Sequence, residues 1–139
     1  MPESSAEVVR RQFEALSTAG VDAAAEFWHP EIEWRAVEGA ADDVGVIKGR
    51  DRLRRYYEDW LEMFDELRGN VVEVLYDVDD RAALRIRHSG RGRWSGVRTE
   101  GHYYVVCTVR DGQIVSGREY DSRENSLKAV QGLASLPEG

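Results

Sequence analysis

The segment "HYYVVCTVRDGQIVSGREYDSREN", residues 102–125, decides the fold class. At its centre lies Asp111-Gly112, a dipeptide that tolerates the positive φ angles of a tight hairpin turn. The runs on either side are rich in β-branched and aromatic residues and read as adjacent antiparallel strands. In the first run Tyr103, Val105, Cys107 and Val109 share one face, and His102, Tyr104, Val106 and Thr108 share the other, because successive side chains alternate. Both sets are fairly apolar, which predicts a sheet covered on both faces, the second by a partner subunit. In the second run Ile114 falls with Ser116, Arg118 and Tyr120, and Val115 falls with Gly117, Glu119 and Asp121. Strict alternation leaves the direction of Glu119 open. Asp121, near the strand end, reads as a solvent-exposed residue or as the cap of the helix that follows.

Two more strands precede this hairpin, "NVVEVLYDV" and "RAALRIRHSGRG", separated by the turn residues Asp79-Asp80 and followed by a tip at Gly92 to Gly96. Four strands joined by tight turns form an antiparallel meander. Within it Ala82, Leu84 and Ile86 share a face with His88, which is therefore expected to point inward, while Arg85 and Arg87 share the opposite face. After Asn125 helical spacing returns through Leu127, Val130 and Leu133.

The N-terminal half is mainly helical. Ser4 and Ser5 precede Ala6 to Leu16, where Val8, Val9, Phe13 and Leu16 recur at helical spacing until Gly20 stops the run. A short second helix is expected from "VDAAAEFWHP", capped by Asp22 and ended by Pro30. "EIEWRAV" alternates, with Ile32, Trp34 and Ala36 on one side, and reads as a strand. "EGAADDVGVIKG" reads as a loop and a candidate mobile segment. From Arg50 an apolar stripe through Leu53, Tyr57, Trp60 or Leu61, and Phe64 marks a long helix, with strands expected only after Gly69. Tyr56, Tyr57, Trp60, Met63 and Phe64 on that helix are candidates for a cavity wall, although such a stripe is more often core. Helices followed by strands give an α+β class: three helices over one face of a curved antiparallel sheet. A length of 139 residues suits a single domain spanning 1–139.

A formal net charge of −7 argues against nucleic acid as a partner, since phosphate neutralisation needs a basic face. Cys107 is the single cysteine, expected as a small buried hydrophobe and not as half of a disulfide. The start "MPESSAEVVRRQF" lacks the apolar stretch of a secretory signal, and the longest apolar run, Tyr103 to Cys107, falls far short of a membrane span. A cytoplasmic location, with no membrane partner, is the expectation. His29, His88 and His102 lack metal-ligand spacing, so no metal is expected. "GRGRWSG" sits at a hairpin tip, where a phosphate loop is not expected.

The ordered set "FWHPEIEW", "GRDRLRRYYEDW" and "VRDGQIVSGREYDSRENSLKA" resembles the SnoaL-like branch of the nuclear transport factor two-like superfamily, which also holds ketosteroid isomerase and limonene epoxide hydrolase. The resemblance runs nearly end to end. It implies a cone, in which a curved sheet wraps round a pocket closed by the N-terminal helices, often dimerised through the outer sheet face. It also implies an inward acidic residue at Glu119. Laid onto the epoxide hydrolase pattern, His88 and Glu119 fall at its two catalytic aspartates, Ile86 at its arginine, and Trp34 and Ala36 at its water-holding tyrosine and asparagine. Laid onto ketosteroid isomerase, the base falls near Ala36 and the neutral acid near Val105, neither able to move a proton. The SnoaL-like cyclases, which close polyketide rings by aldol chemistry without a cofactor, match best in pattern.

The resemblance makes His88 and Glu119 the catalytic candidates, with Trp34, Tyr57, Trp60, Phe64, Tyr103 and Val105 shaping a cavity for an apolar carbonyl or polyketide-like ligand. A glutamate in such a cavity would have its pKa raised toward neutrality, and a histidine beside it would be held toward its protonated form. Glu119 would then take a proton alpha to a carbonyl while His88 stabilises the oxyanion, or His88 would be the base while Glu119 fixes its tautomer. The rival readings are a non-catalytic ligand-binding or dimeric scaffold protein, whose His–Glu pair satisfies only itself, and epoxide hydrolase-like water activation.

Overall fold

A computed structural model describes residues 3–132. Helix α1, Ser5–Ala19, starts where the Ser4 hydroxyl accepts the Glu7 amide, and buries Val8, Val9 and Phe13. Gly20, at a φ of 97°, ends it and also occupies the cap position of α2, Val21–Ala25. Asp22 is therefore inside α2 and does not cap it; its carboxylate pairs with Arg54. Strand β1, Trp28–Arg35, begins two residues before Pro30, so that proline does not terminate the helix. Packing decides this boundary: Trp28 is fully buried, stacked on Tyr57 at 5.8 Å between ring centroids, and pairs with Ile114.

The loop contains a two-residue strand β2, Ile47–Lys48, and leads to α3, Arg50–Met63, which buries Leu53 and Tyr57. Strand β3, Phe64–Val78, follows α3 directly, six residues before the Asn70 start that the pattern suggests. Strands β4, Arg81–Gly92, β5, Arg98–Arg110, and β6, Gln113–Tyr120, complete the meander. Helix α4, Arg123–Val130, is capped by Ser122, whose hydroxyl accepts the Asn125 amide at 3.1 Å, so Asp121 is not the cap. Leu133 lies outside the described residues.

The strands form one curved sheet in the order β2-β1-β6-β5-β4-β3, antiparallel except where β1 runs parallel to β6. Helix α1 crosses the inner faces of β3, β4 and β5, and α3 packs on β1 and β3. The core between them holds Phe13, Trp28, Ile32, Trp34, Leu53, Leu84, Ile86, Val105, Cys107 and Ile114. On the other face α4 lies against β4, β5 and β6 and buries Ser126 and Val130, so part of the outer cover comes from this chain itself.

Strand β6 departs from strict alternation at one point. Val109 pairs with Ile114 and Thr108 with Ser116, so one step on β5 matches two on β6. Val115 is the extra residue of a β-bulge, which re-aims every side chain beyond it. Ile114, Gly117 and Glu119 thereby all point inward, opposite Val109, Cys107 and Val105.

Candidate functional site

A cavity of about 420 Å³ opens between the inner sheet face, α1 and α3. Phe13, Leu16, Leu61 and Leu67 supply apolar wall, and Tyr56, Tyr57, Trp60 and Tyr103 supply aromatic wall. Set among these rings are Asp42, His88 and Glu119, with Arg68 and Asp121 exposed at the rim.

Glu119 is placed by two neighbours on its own face. Trp34 of β1 pairs with Gly117 of β6, and a Cβ at Gly117 would stand 2.1 Å from the Trp34 ring. Only a bare backbone there admits the indole. The Trp34 Nε1–H then donates to Glu119 Oε2 at 2.9 Å. Burial disfavours the charged carboxylate most strongly, the indole bond opposes that effect, and the charge of Asp42 adds to it; together they push the Glu119 pKa up to about 7.

His88 faces the same cavity from β4. It pairs with Gly101, whereas Glu119 pairs with Val105, and Tyr103 stands between those positions on β5. The imidazole rests against Gly101, where a Cβ would come within 2.8 Å of Nε2, and its ring centre is 5.8 Å from that of Tyr103. Its pKa is lowered, first by burial and then by His102, with Asp42 opposing. The expected pull toward the protonated form is therefore not met: burial outweighs the one carboxylate that acts on it.

Of the other expected wall residues, Tyr57, Trp60 and Tyr103 line the cavity. Trp34 reaches it through its bond to Glu119, Phe64 stands behind Trp60 with the rings stacked at 5.2 Å, and Val105 is fully buried core. Met63 is exposed on the surface. Burial also pushes the Tyr56, Tyr57 and Tyr103 phenols and the Cys107 thiol upward, so these groups stay protonated at neutral pH. The Tyr57 hydroxyl is buried without a hydrogen-bond partner among the described residues.

The loop brings in one residue that pattern reading passes over. Asp43 accepts the Gly39 and Gly45 amides, both at 2.9 Å, and pairs with Arg35 at 3.1 Å, which holds its own pKa far below the usual carboxylate range. This closes the loop and delivers Asp42 to the cavity, where its Oδ2 accepts the Tyr56 hydroxyl at 2.7 Å. The adjacent pair Asp42-Asp43 within a glycine-rich stretch is the one sequence signal that could have indicated it.

Among the described residues no group of three His, Cys, Asp or Glu side chains is arranged to hold a metal ion, and no helix is long and apolar enough to cross a membrane.

Similarity to known proteins follows the same outline. No curated protein matches the chain. A Catenulispora acidiphila protein of ketosteroid isomerase-like fold, solved in complex with trimethylamine, superimposes with a TM-score of 0.72 at 16% identity, covering 91% of this chain and 93% of that one. A Mycobacterium tuberculosis protein in complex with estradiol-17beta-hemisuccinate gives a TM-score of 0.75 at 12% identity, covering 88% and 97%. A Mesorhizobium loti protein named provisionally as a SnoaL-like polyketide cyclase gives 0.65 at 24% identity, covering 85% and 99%. At these identities the likeness concerns the fold alone. The model of the SnoaL-like domain matches residues 9–117. With that match over most of its length, the chain belongs to the SnoaL-like domain family.

Proposed function

We propose that this protein is a cofactor-independent acid-base enzyme of the SnoaL-like cyclase or isomerase type, acting on an apolar carbonyl compound with Glu119 as its base. The observation that carries this reading is a carboxylate of pKa about 7 set in an aromatic cavity, since a base works best when its pKa lies near the working pH. Glu119 takes a proton from the carbon alpha to the carbonyl, and the electron pair of that C–H bond moves onto the carbonyl oxygen. The protonated phenol of Tyr103 is the donor available to the enolate oxygen, and its hydroxyl costs the site no charge. Return of the proton to another carbon isomerises the substrate. Attack of the enolate carbon on a second carbonyl closes a ring instead. His88, neutral and further along the cavity, positions a remote polar group of the substrate.

Two similar structures hold small molecules, trimethylamine in one and estradiol-17beta-hemisuccinate in the other, which supports ligand binding here. Epoxide hydrolase-like water activation is less well served, because Ile86 and Ala36 are buried and carry no polar side-chain atom. The reading as a non-catalytic binding protein draws on the same carboxyl, which in its protonated form can donate to a ligand carbonyl.

Turnover and thermal-shift screening of carbonyl compounds against wild type, Glu119→Gln and His88→Ala separates these readings. Glu119→Gln is expected to lose roughly 10²–10⁴ in turnover while still binding, and His88→Ala to lose less. Equal turnover by all three proteins removes Glu119 from the role of base. Binding without any turnover by wild type leaves the binding protein.

The proposal extends to a cytoplasmic protein of one domain over residues 1–139, forming a homodimer through the outer sheet face. A hollow of about 620 Å³ remains on that face, walled in part by Val46, Val106, Thr108 and Tyr120, and supports such a contact. Light scattering of the purified protein reads the stoichiometry directly.

A further inference from the structure

The loop between β1 and β2 serves both faces of the sheet. Val37, Ala40 and Asp42 wall the cavity, whereas Arg35 at the end of β1, Glu38 and Val46 wall the hollow on the outer face. None of residues 37–46 is fully buried, so polar contacts more than a core hold the loop in place. Its outer anchor is Arg35, whose Nε and one terminal nitrogen donate to the two oxygens of Asp43 at 3.3 and 3.1 Å, a fork that fixes direction as well as distance. Asp43 in turn gathers the Gly39 and Gly45 amides. Its inner anchor is the bond from the Tyr56 hydroxyl to Asp42 Oδ2. Neighbouring carboxylates of one loop are thus held from opposite sides, one by the outer face and one by the cavity. Of the groups around Glu119, the Tyr56, Tyr57 and Tyr103 phenols and the Cys107 thiol stay protonated at neutral pH, Trp34 is a neutral donor and His88 is neutral. Arg68, His102 and Asp121 are exposed at the rim, and α1 brings only Phe13, Leu16 and Ser17. The charge that acts on Glu119 is that of Asp42.

We propose that Arg35 and Asp43, neither of which lines the cavity, are positioning residues of the site: their fork holds Asp42 against Tyr56 and, through Asp42, sets how readily Glu119 gives up its proton. The inference rests on Glu119 being the base proposed above and adds control of that base from the outer face. Opening the fork frees the loop, takes the charge of Asp42 away from Glu119 and admits water, and both changes favour the ionised carboxyl. Loss of the Arg35 charge by itself acts in the opposite sense, since a cation stabilises a carboxylate. The sign of the response therefore separates positioning from plain electrostatics.

Carboxyl NMR titration of Glu119 and hydrogen exchange at the Gly39 and Gly45 amides test it in wild type, Arg35→Met, Arg35→Lys and Asp42→Asn. Arg35→Met is expected to lower the Glu119 midpoint by roughly one pH unit and to speed exchange of both amides about tenfold. Arg35→Lys keeps the charge without the fork and should fall between wild type and Arg35→Met. Asp42→Asn removes the charge while its amide oxygen still accepts the Tyr56 hydroxyl, so the midpoint should fall with the loop amides unchanged. A midpoint that rises or stays in Arg35→Met overturns the proposal even where the amides exchange faster, because the loop then moves without bearing on the base. A lowered midpoint with unchanged amides overturns the fork as its cause. An unmoved midpoint in Asp42→Asn overturns the link through Asp42, and this result stands even where Arg35→Met fails to fold. A wild-type midpoint near 4.5 overturns the base together with its control, whereas one near 7 that ignores Arg35 overturns the control and leaves the base.

Discussion

Two glutamates on the same sheet show how differently its two faces treat a charge. Glu73, on the outer side of β3, accepts two hydrogen bonds from Arg123, at 3.0 and 2.6 Å, and faces Arg85 as well; Arg123 lowers its pKa. Glu119, on the inner side of β6, has one neutral donor, Trp34, and burial raises its pKa to about 7. Outside, water and arginine keep the carboxylate an ordinary anion. Inside, no arginine pairs with the carboxyl and burial outweighs its one donor, so it keeps its proton until near neutrality. The contrast teaches that burial, set against a single neutral donor, is what distinguishes the carboxyl of the cavity from one on the outer face.

The largest effect expected on stability follows from Glu119. Its native pKa stands near 7 against an ordinary value of 4.5, so the native state binds the proton more tightly than the unfolded state. The resulting stability is fully present below about pH 4.5 and is lost as the pH rises through about 7. Its size is on the order of 3 kcal/mol, taking about 1.4 kcal/mol per pKa unit. Urea unfolding of wild type and Glu119→Gln across that window should show the variant gaining on wild type as pH rises. Parallel pH curves would mean that Glu119 is solvated and that the contrast between faces is false.

Gly117→Ala attacks the placement of the carboxyl. The added Cβ meets the Trp34 ring and forces it aside, an overpacking that costs roughly 1–3 kcal/mol. Moving the indole also removes the bond that holds the Glu119 pKa down, so that pKa should rise further, as carboxyl NMR titration would report. Unchanged stability together with an unchanged Glu119 titration would separate Trp34 from the site. Tyr57→Phe is milder and opposite in sign. Deleting a buried hydroxyl that lacks a partner should stabilise the ligand-free protein by about 1 kcal/mol, read by thermal unfolding. Destabilisation of the ligand-free variant would mean that the hydroxyl is already satisfied.

The order of these effects matches what the sequence could and could not disclose. The meander was legible because Asp79-Asp80 and Asp111-Gly112 sit between β-branched runs, and both turns form, with Asp79, Asp111 and Gly112 at positive φ. The inward aim of His88 followed from Ala82, Leu84 and Ile86 by simple alternation. Glu119 did not follow, because a bulge is one residue of extra backbone with no fixed residue signature, and Val115 gives no sign of it. Ile114 and Glu119, five positions apart, should lie on opposite faces, and the bulge brings them to the same one. Asp42 was hidden for another reason. Its position depends on hydrogen bonds that Asp43 makes to backbone amides and to Arg35, and these are tertiary facts without a period. The start of β3 at Phe64 is a third case, in which the register with β4 prevails over the helical spacing of the aromatic stripe.

The smallest expected effect gives the sharpest test of the two-face contrast, because it concerns sign more than size. Glu73→Gln removes an exposed pair that salt and water already weaken, so at pH 7 its unfolding midpoint should fall only slightly below that of wild type. Because the native pKa of Glu73 is lowered, its contribution is present above pH 4.5 and disappears as the pH falls through the native value. The Glu73→Gln deficit should therefore vanish toward acid, and also in about 1 M salt, where screening acts within ~3 Å. The Glu119→Gln gain should instead vanish toward acid by a different route, as wild type recovers its buried proton, and should persist in salt because no ion pair carries it. At neutral pH the two substitutions thus move stability in opposite directions, though both exchange a glutamate for its amide on one sheet. If both variants lose stability at neutral pH and both losses yield to salt, Glu119 is paired and hydrated like Glu73, and the inner face holds no carboxyl poised to move a proton.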